Sequence, residues 1–224
     1  MAWSFVGAGA VGTRANAIAV LPTGHAAGDL LILVGSSTKS FATPVGWTEG
    51  ISNLDPYGTN LCLFYKIDSG LEVNVASGNS SSYTVFAMMA YRGIAASPLD
   101  IANFGDVSEL PVNSFATSSI TTTKTNDLVI SLFAQHASSA LPVGIWTAPA
   151  STTARITQSG SSLTNALLSV DENAASAGDT TEREATSAYA VNGFMSSFAI
   201  AFFDSSTSGT FDIFSTYSLF YSCN

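Results

Sequence analysis

Ala27-Gly28-Asp29-Leu30-Leu31-Ile32-Leu33-Val34 and Thr125-Asn126-Asp127-Leu128-Val129-Ile130-Ser131-Leu132 are two versions of one phrase. Each is a turn residue, an aspartate and then an apolar run, and the two lie about 98 residues apart. About fifteen residues further on, Pro44-Val45-Gly46-Trp47-Thr48 is echoed by Pro142-Val143-Gly144-Ile145-Trp146-Thr147. Each half then closes on an aromatic-rich run, Val85 to Tyr91 and Phe198 to Phe203. Two copies of a strand–loop–strand plan predict an antiparallel, jelly-roll-like β-sandwich with two internally related halves. The repeats span about residues 16–95 and 115–203. No charged or Gly/Ser spacer divides them, so residues 1–203 are expected to form a single sandwich domain.

The rest of the chain reads the same way. Leu61-Cys62-Leu63-Phe64-Tyr65 is continuously apolar, as strands buried on both faces are. Leu71-Glu72-Val73-Asn74-Val75 alternates and predicts a strand with its apolar residues turned inward. Clusters such as Asp55-Pro56-Tyr57-Gly58 and Ser77-Gly78-Asn79-Ser80 are turn chemistry. No stretch has the spacing of a convincing amphipathic helix.

That pattern also disposes of the opening. Gly7-Ala8-Gly9-Ala10-Val11-Gly12 matches G-x-G-x-x-G, the dinucleotide fingerprint. The fingerprint needs a helix after its last glycine, because the helix N-terminus faces the pyrophosphate. Here the chain reaches Pro22-Thr23-Gly24 after a short alternating run. Asp29 lies at the expected distance but precedes a strand, which is the wrong end for a ribose contact. The glycines are therefore read as a turn between strands, and no cofactor is expected.

With seven Lys+Arg and a net charge of −9, the chain cannot form the basic stripe that nucleic acid requires. An anionic membrane surface is disfavoured for the same reason, and no apolar run reaches the length of a bilayer span. The N-terminus has no basic region ahead of an apolar run, so synthesis in the cytoplasm is expected, with any later export by lysis or within a particle. Only 10% of residues are charged, which predicts a polar, uncharged surface suited to dense assemblies.

Catalytic signatures are sparse. His25 and His136 have no ligand-spaced partners for zinc, and no G-x-S-x-G occurs. The chain is read as a non-enzyme. Asp171, Glu172 and Asp179 are a conceivable Ca²⁺ set, but without a spaced ligand loop they read as a solvated turn, with Arg183 pairing loosely on the surface. Cys62 and Cys223 are read as a buried hydrophobe and a tail thiol, with a bridge between them the lesser alternative. Asp29 and Asp127 are expected to accept backbone N–H groups where their strands begin. Trp47 and Trp146 are expected to cover the open end of the sandwich. The alternative makes them, with Tyr57, sugar-stacking platforms.

The strings AGDLLIL, TPVGWT, LFYKI, AYRGI and PLD, followed by SITTTKTNDLVISLF and LLSVDENAASAGDTTEREAT, resemble a β-sandwich family of phage and prophage virion proteins. Such proteins include minor tail proteins, and jelly rolls of this size also resemble capsid decoration (cement) proteins. The resemblance covers roughly residues 16–203 and rests on turns and strand starts. Ile145, inserted between Gly144 and Trp146, departs from it. It implies a decoration protein located on the virion, a homotrimer seated on the major capsid protein or on tail proteins. A tail or fibre tip, or an adhesin module that binds a host surface glycan, is the alternative. It brings no catalytic residues.

Residues 204–224 lie outside the repeat and read as a C-terminal strand or arm. After Ser205-Ser206-Thr207-Ser208-Gly209, the run Thr210 to Tyr221 has one charge, Asp212, and is rich in β-formers. Left alone, such a strand aggregates, so it is expected to pair, across subunits by strand addition or within its own sheet. The assembly residues expected here are Phe211, Ile213, Phe214, Tyr217, Phe220 and Tyr221, with Trp3 and Phe5 at the other terminus. Five buried aromatics would contribute roughly 2 kcal/mol each.

Overall fold

The computed structural model describes residues 3–53, 59–108, 113–137, 139, 141–142, 144–159, 164–188 and 195–204. Every regular element among them is a strand. The first half holds β1 (Ser4–Ala8), β2 (Gly12–Thr13), β3 (Ile18–Ala19), β4 (Leu30–Ser37), β5 (Thr48–Asn53), β6 (Asn60–Ile67), β7 (Val75–Ala76) and β8 (Val85–Arg92). The second holds β9 (Ile94–Ser108), β10 (Ser114–Ala116), β11 (Thr121–Thr122), β12 (Asp127–His136), β13 (Trp146–Thr147), β14 (Thr153–Gln158), β15 (Asn165–Ala174), β16 (Gly178–Asp179), β17 (Glu184–Ser187) and β18 (Met195–Asp204).

Two large antiparallel sheets result, ordered β1-β8-β4-β6-β5 and β9-β18-β12-β15-β14. The two orders are the same plan repeated, with β4 and β12 at both centres. The all-β antiparallel sandwich expected from the repeats is the observed architecture. Its connectivity differs from a jelly roll. A jelly roll distributes each half over both sheets, whereas here each half completes one sheet by itself. The physical reason is locality. Each repeat closes its ladders with its own neighbours, and only the faces of the two sheets meet.

The meeting face is a single core. Leu30, Ile32, Val34 and Leu63 from the first sheet pack against Leu128, Ile130, Leu132 and Ile200 from the second. Tyr65 and Phe202 touch edge to face across it at 5.3 Å. Gly50 sits at a bulge in β5, where an added Cβ would lie 2.8 Å from Ile200 Cδ1 of the opposite sheet. The outer faces are also apolar. Leu31, Leu33, Phe64 and Met88 lie under the segment that carries β3 and β7. Phe133, Leu168 and Val170 lie under the small sheet β10-β17-β13. Burial on both faces is why β4, β6, β8 and β12 read as largely apolar runs.

The opening glycines serve this cover. β1 leaves β8 at Ala8, and the chain re-pairs through β2. Between them Gly9 donates to the Met88 carbonyl at 2.9 Å. A Cβ on Gly9 would stand 1.7 Å from the Val20 carbonyl oxygen, and one on Gly12 2.4 Å from Ile18 N and O. Absent side chains let the 18–20 segment cross directly over the strand.

One expectation changes. Residues 71–74 form no strand, and Leu71 and Val73 point outward, 87% and 71% exposed. Their polar neighbours are bonded to other segments. Glu72 accepts from Lys66 at 2.7 Å, and Asn74 Oδ1 accepts from Leu21 N at 2.9 Å. Residues 94–108, between the two repeats, form the 15-residue edge strand β9.

Gly12→Ala is expected to lower stability by about 2 kcal/mol or more, since backbone must move to admit the methyl group. Chemical denaturation checks this; an unchanged midpoint would show that the crossing is not tightly packed.

Candidate functional site

Three places on the sandwich gather chemistry. The first is the pair of repeated strand starts. Gly28 and Asn126, the residues before the two aspartates, both adopt positive φ, 92° and 62°. They donate to equivalent acceptors, the carbonyls of Asp68 and Ala174. Gly and Asn tolerate this conformation best, which explains why the repeat carries one or the other.

Beyond that shared turn the two aspartates part. Asp29 is nearly fully buried, accepts from Ala26 N at 2.8 Å as expected, and is clamped by Arg92 Nε and Nη2, both at 2.8 Å. A fork of this kind on a carboxylate is a strong, oriented pair. In the second half the register is the same: Leu30 faces Tyr91 and Leu128 faces Phe202. The residue in the place of Arg92 is therefore Phe203. The cation comes instead from Lys124, whose Nζ stands 4.4 Å from the Phe203 ring centroid. Asp127 is fully buried and faces a second carboxyl, Asp100, which Thr123 holds through its N–H and its hydroxyl at 2.7 and 2.8 Å. Burial first, then the Asp100 carboxyl, pushes the Asp127 pKa up to about 7, against the backbone N–H and charge of Lys124. Asp29 accepts from its turn as expected; at Asp127 the backbone N–H of Lys124, three residues back as Ala26 is from Asp29, acts the same way, and a carboxyl–carboxyl contact with Asp100 is added.

The second place is an open cleft of about 490 Å³ between the β5–β6 end of the first sheet and the start of β9. Gly46, Tyr65, Lys66 and Leu99 line it. Its β9 wall is a bulge. Phe202 faces Leu99 and Asp204 faces Ile94, so between these pairs one residue of β18, Phe203, opposes four of β9. Lys66 holds Glu72 and stands 5.7 Å from the Trp47 ring centroid. Burial acts to raise the Glu72 pKa, but hydrogen bonds from Lys66 and Ser69 outweigh it and hold it below its ordinary value. Trp47 follows Gly46, whose φ is 79°, and is half-buried against the outer core of the first sheet. Gly144 repeats the conformation at 73°, but the inserted Ile145 takes a core place and Trp146 is buried on β13 against Phe115 at 5.3 Å. The two tryptophans thus do not cover the sandwich end alike. Trp146 lies under the outer face of the second sheet, too deep for a sugar platform, and Trp47 flanks the cleft. Tyr57 lies outside the described residues.

The third place is the corner where the two sheets join. Asp171 accepts from Arg155 Nε at 2.7 Å, and the Arg155 guanidinium lies 4.1 Å from the Phe5 ring centroid. Phe5 and Trp3 both meet Tyr91 edge-on, and Trp3 Nε1 donates to Asn173 at 3.2 Å. These two aromatics are therefore partly engaged with the chain's own core. Burial first, then Asp171, pushes the Tyr91 hydroxyl well above its ordinary pKa. Glu172 receives both Nε and Nη2 of Arg183, at 2.6 and 2.5 Å, in a half-buried fork rather than a loose surface pair. Asp179 bonds Thr121. The conceivable Ca²⁺ set is thus divided among separate partners. Among the described residues no three His, Cys, Asp or Glu gather in ligand geometry.

The histidines serve locally. His25 Nδ1 contacts Asp68, itself tied to Gly70 N, at 2.5 Å. His136 contacts Asn165, and burial pushes its pKa down. Cys62 is a free thiol in the outer core of the first sheet, raised well above its ordinary pKa chiefly by burial. Cys223, like Phe211, Ile213, Phe214, Tyr217, Phe220 and Tyr221, lies outside the described residues. No helix among the described residues is long and apolar enough to cross a membrane.

No family model, curated protein or solved structure matches this chain.

Sequence reasoning missed the Asp100–Asp127 contact, because the repeat drew attention to what the aspartates share. The signal was available where AYRGI of the first half gives way to AFFDS in the second, replacing Arg with Phe.

Two measurements follow from these sites. A carboxyl whose folded pKa is near 7 and whose ordinary value is 3.8 binds more protons folded than unfolded between those limits. Its contribution is fully present below about pH 4 and is lost as pH rises through about 7. Asp127→Asn is expected to remove that decline, so that the variant exceeds the parent in thermal stability at pH 8 but not at pH 4; parallel profiles would refute it. Trp146→Ala is expected to cost about 3–5 kcal/mol and Trp47→Ala clearly less, by denaturant unfolding.

Proposed function

We propose that this chain is a non-enzymatic virion structural protein, a capsid decoration protein that assembles with copies of itself on the particle surface. The observation that carries the reading is a group of exposed apolar side chains near the cleft. Val45, Leu71 and Val73 are exposed on segments joined through Gly46, Lys66 and Glu72, although the central strands of both sheets are buried on both faces. Exposed apolar residues gathered beside a cleft are what a protein shows where it meets another protein. The resemblance of the strand starts and turns to virion sandwich proteins supports the same reading, as does the apolar run at 210–221. A homotrimer on the major capsid protein is the arrangement proposed, with a tail or fibre tip the alternative location.

A second reading is favoured by one observation. Trp47, half-buried beside an open cleft with Lys66 and Glu72, has the parts of a glycan-stacking site. A carbohydrate-binding adhesin module would use it.

Light scattering on the full chain and on a version truncated after Asp204 separates the readings. Assembly predicts a trimer that falls to monomer, or precipitates, without the arm. A monomer in both forms, together with glycan binding lost in a folded Trp47→Ala variant, would transfer the function to the adhesin reading.

A further inference from the structure

We propose that the cleft between Gly46, Tyr65, Lys66 and Leu99 is the acceptor for the apolar arm, Thr210–Tyr221, of a neighbouring copy. The inference rests on the assembly reading above and adds its address. Three observations support it.

The first is the cleft's rim. Val45 adjoins Gly46 and is fully exposed, and Leu71 and Val73 flank Glu72, whose carboxylate is held by the cleft's own Lys66. Leu99 completes the rim from the β9 side and is also exposed. Four exposed apolar side chains therefore lie on segments that line the cleft or bond to its lining. Leu71 and Val73 are exposed where the alternating 71–75 pattern would bury them.

The second is where the described chain leads. β18 passes Leu99 at Phe202 and reaches Ile94 at Asp204, so it ends beside the cleft's bulged wall. Residues 205–224 follow that end directly in the sequence. Ser205 to Gly209 can span up to roughly 17 Å when extended, enough to clear the edge toward a second molecule.

The third is complementarity. The arm is apolar with a single charge, Asp212, and β-rich, and the cleft offers apolar rim residues beside the edge strand β9. An extended segment that adds to a strand edge and drops alternate side chains into a pocket is an established mode of subunit exchange.

The test uses the full-length chain. Val45→Glu and Leu71→Glu lie at exposed positions, so melting temperature is expected to stay at the parent value while light scattering shows loss of the oligomer. A Leu71→Cys variant, treated with a short bifunctional maleimide, is expected to link to Cys223 between subunits, since Cys62 is buried. A Cys223→Ser control should abolish the link. Oligomers of unchanged mass in both glutamate variants would overturn the cleft while leaving assembly intact. Dissociation without any link to Cys223 would overturn the arm as occupant, and a link within one subunit would overturn the neighbour as its source. A parent chain that is monomeric at all concentrations would remove the assembly reading, and this proposal with it.

Discussion

The contact between the inner faces of the two sheets is the interaction on which the rest depends. Each half of the chain closes its own five-stranded path, β1-β8-β4-β6-β5 or β9-β18-β12-β15-β14. Such a sheet, apolar on both sides, cannot persist in water alone. Leu30, Ile32 and Val34 are dry only because Leu128, Ile130 and Leu132 lie opposite. Close approach has its own requirement, met where Gly50 leaves room for Ile200. Duplication solved the burial of one face by supplying a second sheet of the same plan.

The outer faces needed other solutions, and the two halves found different ones. The first sheet is covered by the segment around β3 and β7, admitted by backbone crossing at Gly9 and Gly12. The second is covered by β10, β17 and β13, with Trp146 and the inserted Ile145 filling the space. Divergence at the ends followed the same course. Asp29 kept a guanidinium partner, while Asp127 faces Asp100 because Phe203 occupies the arginine's place. One half thus starts its central strand on an ion pair, the other on a carboxyl whose pKa is pushed up to about 7.

Function is proposed where the protein breaks its own pattern. Almost every apolar side chain in the sheets is enclosed, yet the rim beside Lys66 presents Val45, Leu71 and Val73 to solvent. The polar residues of that loop bond other segments, Glu72 to Lys66 and Ser69 and Asn74 to Leu21. Exposed apolar residues near the end of β18 are a geometry that suits assembly.

The sequence by itself determined the all-β class, the duplication and its strand starts. These are local properties, namely unbroken apolar runs, Gly or Asn before Asp, and Pro-x-Gly turns whose glycines both adopt positive φ. It also marked the opening glycines as a turn between strands. Only the tertiary structure decided how the halves share the sandwich, which of two similar tryptophans is buried, and that Asp171 and Glu172 pair with separate arginines. It alone turned Leu71 and Val73 outward. Periodicity fixes which residues share a face, but which face meets the core depends on partners such as Lys66 and Leu21 that are distant in sequence. Those partners exist as neighbours only once the sheets have formed.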